Sequence, residues 1–429
     1  MEASAAAEKK PQLTGPLGGL PWDITIDILG RLPAKSVFRC RGVCKAWRDI
    51  TIDPGFLAAR SHCWPADVVL YKYEYRTVAS DDGGNDTVAV DVALDLLPVS
   101  SDEETRPRRL IRYANRHAWF LLVASSNGVL LFRKEEGLYL LCNPVTRQWA
   151  ELPRLPPRPP HLKHNKAMVD AECAFYLHSN SGEYRVLCRR NSSIKETTWW
   201  ILAAGAAKPR RIDMGAAAEV VAKVAPCLRT AVAMHVALDG RLHWPPHQAA
   251  AVAGETEMVV FDVSLETFHL MAGPPTTTAA LTKVFDMDGR LVAADFGKEE
   301  HIDLWFLEDY KNRRWELRHR VEVPLMDDAI MQQVWTQGGT ARPTLEPRSL
   351  LSVAAAGDGE AGNIMLGNYR WLVVYNVKTK TTKTVDSVVK LWGKDVLVSR
   401  HVFKENLEKH ACFTTAEQCS VDLSSFHFQ

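Results

Sequence analysis

Two pairs of histidines have spacings that can hold a metal ion: His161 with His164, and His243 with His247. The first pair follows a proline-rich stretch and the second flanks Pro245-Pro246, so neither has a helix to align its imidazoles, and no third ligand lies nearby. Nine cysteines are scattered along the chain without a C-x-x-C pair, which argues against a zinc knuckle or a dithiol redox site. No G-x-G-x-x-G, G-x-x-x-x-G-K-[ST] or G-x-S-x-G is present, so phosphate loops and nucleophile elbows have no sequence signature here. The basic clusters Arg106-Pro107-Arg108-Arg109 and Lys208-Pro209-Arg210-Arg211 read as solvated loop charges, with a nuclear import signal as the alternative. The chemistry expected is therefore that of contact. No catalytic residues, no metal and no cofactor are expected, and the partner must be read from other features of the chain.

Composition fits that expectation. The chain has 429 residues, 46% hydrophobic and 24% charged, with 52 Lys and Arg against 51 acids. Such a balance gives no electrostatic reason to expect nucleic acid or an anionic membrane as partner. Scattered, unpaired thiols suit a reducing compartment, so cytoplasm and/or nucleus is the expected location. Residues 1–19 are rich in Ala, Lys, Pro and Gly, carry no apolar core and read as a disordered tail rather than a signal peptide or anchor.

The elements that must position any contact surface divide the chain in two. From Leu20 to His62 the pattern is helical: Ile24, Ile28, Leu29 and Leu32 recur at helical spacing until Pro33. A second helix is predicted from Lys35 to Ile50, with Val37, Cys40, Val43, Cys44 and Trp47 apolar. Asp53-Pro54 reads as a cap and first-turn proline opening a third. Three short helices of this total length are at the lower limit of independent stability. Yet Leu20, Ile24, Ile28, Val43 and Trp47 are too widely spread to share one small interior. Either another polypeptide covers the surplus, or the chain's own β region does.

Beyond Trp64 the signals are strands and turns. Ala66–Tyr75 and Thr87–Leu97 read as strands, and Ser80–Asp86, Ser100–Arg109, Pro153–Pro160, Ala203–Ala218 and Gly338–Gly362 as loops, with Glu219–Lys223 a short helical candidate. Four segments share an apolar run, an Asx turn and a second apolar run: Tyr139–Leu152, Val259–Met271, Leu304–Leu317 and Leu372–Val385. Aligned on Asn143, Asp262, Asp309 and Asn376, they carry Trp149, Phe268, Trp315 and Thr382 six residues later. Asx residues start turns by bonding the backbone just ahead of them. Asn127-Gly128, Asp239-Gly240 and Asp288-Gly289 precede three of these hairpins and are themselves hairpin signals. A further, diverged unit is expected around Glu183–Ile201. At about 50 residues per unit, the pattern predicts a β-propeller of about six blades, with seven or eight as alternatives and a sandwich or barrel as the competing architecture.

The helical segment closely resembles the F-box motif of plant F-box proteins, through Leu20-Pro21-Trp22-Asp23-Ile24, Ile28-Leu29, Arg31-Leu32-Pro33-Ala34-Lys35-Ser36-Val37, Arg39-Cys40-Arg41 and Val43-Cys44-Lys45-Ala46-Trp47-Arg48. Gly42 departs from the family, which often has a larger residue there. The β region resembles the plant F-box-associated domain, through Ser126-Asn127-Gly128, Cys142-Asn143-Pro144-Val145-Thr146-Arg147-Gln148-Trp149, Gly240-Arg241-Leu242-His243-Trp244, Val260-Phe261-Asp262 and Trp305-Phe306-Leu307-Glu308-Asp309-Tyr310. The resemblance implies an α+β chain in two domains: a three-helix F-box over 20–62, a kelch-like propeller over 64–405, and a C-terminal tail over 406–429. It implies that Leu20, Pro21, Ile24, Ile28, Leu29, Leu32 and Pro33 contact a Skp-type adaptor. Val37, Val43, Cys44 and Trp47 would hold the helices together or join the edge of that surface. Through Skp the chain would reach a cullin, and the propeller would hold an unknown protein substrate for ubiquitination. The loops Pro153–Lys166 and Trp335–Gly362 are expected at the mouth of the propeller. A Skp-binding scaffold without a role in degradation and a propeller enzyme are the rival functional classes.

Overall fold

In the computed structural model the leading segment forms four helices: α1 (Trp22–Gly30), α2 (Ala34–Cys40), α3 (Lys45–Ile52) and α4 (Pro54–Cys63). The structure describes residues 20–64, 66–78, 87–99, 107–114, 120–135, 137–157, 171–178, 180–191, 197–212, 235–248, 256–276, 279, 282–287, 289–298, 300–322, 352–354, 362–367, 372–385 and 396–428. Pro21 and Pro33 occupy the positions just before α1 and α2 in extended conformation, as residues that cannot continue a preceding helix. Asp53 caps α4 by accepting from the Phe56 N–H at 2.9 Å, with Pro54 at the first helical position.

The single helix predicted from Lys35 to Ile50 is two helices. It breaks over 41–44, where Gly42 is a weak helix position and Cys44 is fully extended (φ −156°, ψ 164°). Arg41, at the break, donates to the Thr51 carbonyl at 2.8 Å and so ties the end of α2 to the end of α3. The expected three helices are therefore four.

The chain divides into a helical unit, which includes α1–α4 and Glu405–His410, and a β unit of Pro65–Lys404 and Ala411–Gln429. The β unit is a six-bladed propeller. Its second to sixth blades follow chain order. The second is Leu121–Ser126, Val129–Glu135, Leu138–Asn143 and Gln148–Glu151. The third is Ala171–His178, Glu183–Asn191, Thr197–Ala203 and Arg210–Ile212. The fourth is Val236–Leu238, Arg241–His243, Thr256–Asp262 and Thr267–Ala272, with His247–Gln248 extending its second position. The fifth is Thr282–Met287, Arg290–Asp295, His301–Asp309 and Arg314–Glu322, and the sixth is Ser352–Ala354, Asn363–Gly367, Leu372–Asn376 and Thr381–Val385. The first strands of the second to sixth blades, together with Val396–Phe403 of the first blade, neighbour one another at most junctions, which makes these the central ring. The diverged unit expected around Glu183–Ile201 is the third blade.

The first blade draws on both ends of the β region. Asp67–Val78, Thr87–Pro98 and Arg108–Ala114 pair in sequence, Val396–Phe403 adds on the inner side and Phe426–Phe428 on the outer. This corrects the C-terminal tail over 406–429. Glu405–His410 belongs to the helical unit, and the residues after it run along the blades. Thr414 exchanges both backbone bonds with Trp149 (2.7 and 2.8 Å), and Phe426 is buried among Tyr113, Phe120, Phe132 and Trp149 at ring separations of 4.8–5.6 Å. Two stretches read as loops are also part strand: Ser100–Arg109 ends in Arg108–Ala114, and Ala203–Ala218 contains Arg210–Ile212. The insertion Trp335–Gly362 likewise supplies the inner strand Ser352–Ala354. Residues 335–351 and 355–361 of that insertion, Ser80–Asp86, Glu219–Lys223 and 158–166 of the proline-rich loop lie outside the described residues.

Period-two alternation explains why the strands look continuously apolar. Leu130 and Phe132 face the first blade, whereas Val129 and Leu131 face the third, and every residue of Leu138–Asn143 is buried. Six apolar clusters separate six blades, one per junction. The aromatics six residues after the Asx turn serve these junctions. Trp149 packs toward the first blade, Phe268 toward the third, and Trp315 toward the fourth, where its indole N–H donates to the Ala272 carbonyl at 3.1 Å. Thr382, the fourth of the series, is exposed.

The turns that set this register are as the sequence predicts. Asn143, Asp262, Asp309 and Asn376 each accept a backbone N–H two or three residues ahead, at 2.8–3.1 Å. Asn127-Gly128 and Asp239-Gly240 have positive φ at both residues, the geometry of a two-residue hairpin turn with matching twist. One regularity has no glycine to announce it. Arg147, Glu266, Arg313 and Lys380, each four residues after the Asx, all take φ between 53° and 58°.

Candidate docking site on the helical unit

α1 is nine residues long and shows its core only Thr25 and Leu29. Ile24 and Ile28, one turn apart on the flank of that stripe, are exposed at 46% and 40%, and Leu20 and Pro21 are exposed just ahead of them. Pro33 and Cys44 are exposed, Val43 is 64% exposed at the break between α2 and α3, and Leu32 and Trp47 are half-buried. Leu29 and Val37 are different. At 1% and 0% exposure they are as buried as Ala34, Cys40 and Phe56, so they offer nothing to a partner. Two apolar residues absent from the predicted set are also uncovered, Ile26 at 40% and Ile52 at 49%. Ile26 lies on the opposite flank of α1, where the i, i+4 spacing that singled out Ile24 and Ile28 does not reach. Ile52 is the last residue of α3, beyond the predicted helix end.

This small interior is supplemented by a buried charge. Arg60, with 1% of its side chain exposed, pairs through Nη2 with Glu405 Oε2 at 2.9 Å, and Glu405 is itself 4% exposed. The same Nη2 donates to the Leu32 carbonyl at 2.9 Å. Glu405 Oε2 also accepts from the Ala34 N–H at 2.8 Å, at the first turn of α2, where Pro33 gives no side-chain cap. The Trp64 ring covers the guanidinium at 4.1 Å. Burial lowers the Arg60 pKa, and Glu405 partly offsets this through its hydrogen bond and charge.

The other residues singled out by chemistry are occupied structurally. His243 lies between the fourth and fifth blades, with Nε2 2.9 Å from the Tyr310 hydroxyl and Nδ1 3.3 Å from the Val236 carbonyl. Burial pulls its pKa down to about 4, so the ring is neutral near pH 7. His247 is 3.8 Å from Glu257 across a strand pair, with its pKa also lowered by burial. His161 and His164 lie outside the described residues. Among the described residues no three His, Cys, Asp or Glu side chains converge on a metal-binding point. Three members of the basic clusters are ion-paired rather than free: Arg108 with Asp67, Arg109 with Asp95 and Glu74, and Arg210 with Glu266, while Arg106 lies outside the described residues. No helix among the described residues is long and apolar enough to cross a membrane.

Comparison with known proteins agrees with this division. Residues 97–342 match the family model of the F-box associated beta propeller domain, and residues 17–63 match the F-box-like model. The F-box protein At5g49610 of Arabidopsis thaliana is 32% identical over 141 residues, which is 32% of this chain and 34% of that protein. The F-box protein At3g07870 of the same plant is 25% identical over 320 residues, covering 69% of this chain and 70% of the relative. Over the helical segment alone, the F-box protein At5g18160, also from Arabidopsis thaliana, is 57% identical over 42 residues, 10% of this chain and 11% of the relative. With an F-box at its start and more than half its length in the propeller family, the chain belongs to the plant F-box proteins that carry a C-terminal F-box-associated β-propeller.

Proposed function

We propose that this F-box protein is the substrate-recognition subunit of a Skp–cullin–F-box ubiquitin ligase, with the helical unit docking on a Skp-type adaptor and the propeller holding the protein to be modified. The observation that carries the reading is the uncovered apolar flank formed by Leu20, Pro21, Ile24 and Ile28, together with Val43, on a unit in which Leu29, Val37 and Phe56 are already buried. Apolar area left bare on so small a body is the mark of an interface awaiting a partner. Each large side chain fully covered there contributes roughly 1.5–3 kcal/mol before the costs of association.

The contribution to ubiquitin transfer is proximity. A substrate held by the propeller meets activated ubiquitin at high effective concentration, and no residue of this chain needs to form or break a bond. Cytoplasm and/or nucleus, where such ligases meet soluble targets, is the proposed location. The test is affinity capture from plant extract with the wild-type chain and with Leu20→Ala/Pro21→Ala. Loss of Skp and cullin with retention of other partners supports the reading and supplies substrate candidates. Equal recovery of Skp by both chains overturns it.

A further inference from the structure

The sequence match to the F-box ends near residue 63, yet the helical unit does not. Glu405–His410, more than three hundred residues later, is part of it. Glu405, Asn406 and Leu407 are all buried, at 4%, 2% and 3%. One carboxylate oxygen of Glu405 takes hydrogen bonds from the Ala34 N–H and from Arg60 Nη2, and Arg60 in turn reaches the Leu32 carbonyl. The pair thus ties the Leu32–Ala34 corner between α1 and α2 to α4. Nε and Nη1 of Arg60 are buried without an acceptor among the described residues, so Glu405 is the main compensation for this charge. A buried charge that loses such a partner destabilises strongly.

We infer that Glu405 and Arg60 are positioning residues of the adaptor-docking surface, and that the segment Glu405–His410 is a required part of the F-box unit in this chain. The inference rests on the proposed adaptor-binding role. Neither side chain touches the adaptor. Both act by holding the α1–α2 corner, which carries Leu32 and Pro33 and directly follows the last turn of α1 with Ile28. Docking competence is then set by a residue that follows the last inner strand of the propeller by two positions in sequence. A chain that has not completed that strand lacks the residue its docking face needs.

The test uses the full chain and a purified Skp-type adaptor, with affinity read by titration calorimetry and backbone protection of 34–40 and 405–410 read by hydrogen exchange. Glu405→Met and Arg60→Met are each expected to weaken binding at least about tenfold, because the fraction of chains in the competent state falls. The double variant Arg60→Met/Glu405→Met removes both charges and is expected to bind at least about threefold more tightly than either single variant, though below wild type because the Ala34 N–H has lost its acceptor. Protection of α2 should fall in the single variants and return in the double, with propeller unfolding unchanged throughout. Singles that bind and exchange like wild type overturn the inference, as does a double variant as weak as the two losses multiplied. Ile24→Asp separates the two levels. If it and wild type bind the adaptor equally, or neither binds, the docking role itself fails, and the inference as a statement about docking fails with it. The exchange data then report whether Glu405 organises α2.

Discussion

Replacing Ile24 by Asp separates the proposed docking face from the fold. Ile24 is the third residue of α1 and faces away from Leu29, with 46% of its surface exposed. Asp is well suited to a first helical turn, where its charge complements the exposed N–H groups, so folding should change by no more than about 0.5 kcal/mol. Full burial of an Ile contributes about 1.5–3 kcal/mol, so covering the remaining 46% contributes roughly 0.7–1.4 kcal/mol. A carboxylate put in its place must also be desolvated without a partner, which costs several kcal/mol more. The combined loss is at least about 3 kcal/mol, more than a hundredfold in Kd. The assay is calorimetric titration with a purified Skp-type adaptor, with circular dichroism to check helix content. Leu265→Asp, at a turn of the fourth blade where the leucine is 73% exposed, serves as the control and should bind like wild type. Binding within threefold of wild type by a fully helical Ile24→Asp variant refutes the reasoning, because it would mean that this flank stays in water.

Two further outcomes concern the propeller. Phe426→Ala removes a ring from among four other aromatics and should cost about 3–5 kcal/mol in urea unfolding of the β unit; a loss below about 1 kcal/mol would show that the terminal strand does not clasp the first blade. His243 has a folded-state pKa of about 4, below the ordinary 6.5, so between these values the unfolded chain binds a proton the folded chain does not. Its stabilisation is fully present above pH 6.5 and is lost as pH falls toward 4, with a slope approaching about 1.4 kcal/mol per pH unit. His243→Gln should flatten the acid limb of stability against pH by about one proton, and an unchanged slope contradicts the buried neutral imidazole.

Local chemistry was legible in the sequence, and distant partners were not. Asn143, Asp262, Asp309 and Asn376 announce their turns because an Asx side chain bonds residues two or three ahead. The left-handed residues four positions on were hidden, since Arg147, Glu266, Arg313 and Lys380 carry none of the glycine or asparagine bias of that conformation. Alternating apolar positions reveal strands, but a blade strand buried on both faces, such as Leu138–Asn143, shows no alternation to read. On the docking site, Ile24 and Ile28 stood out by helical spacing, while Ile26 fell out of phase. Glu405 left no local sign at all: its partner Arg60 is 345 positions away, and a single acid after a strand normally faces water. The C-terminal strand was missed for the same reason, because its pairing with Arg108–Ala114 spans most of the chain.

The two-ended first blade also bears on how this chain emerges from the ribosome. Asp67–Val78 is made early, but its inner neighbour Val396–Phe403 appears about 300 residues later. At about 5–20 residues per second that strand waits roughly 15–60 s with one row of N–H and C=O groups unsatisfied. Such an edge is a template for pairing with neighbouring nascent chains. The hazard ends only when Val396–Phe403 has been made and covers that row, so the last inner strand to be synthesised is also the one that closes the first blade against other chains.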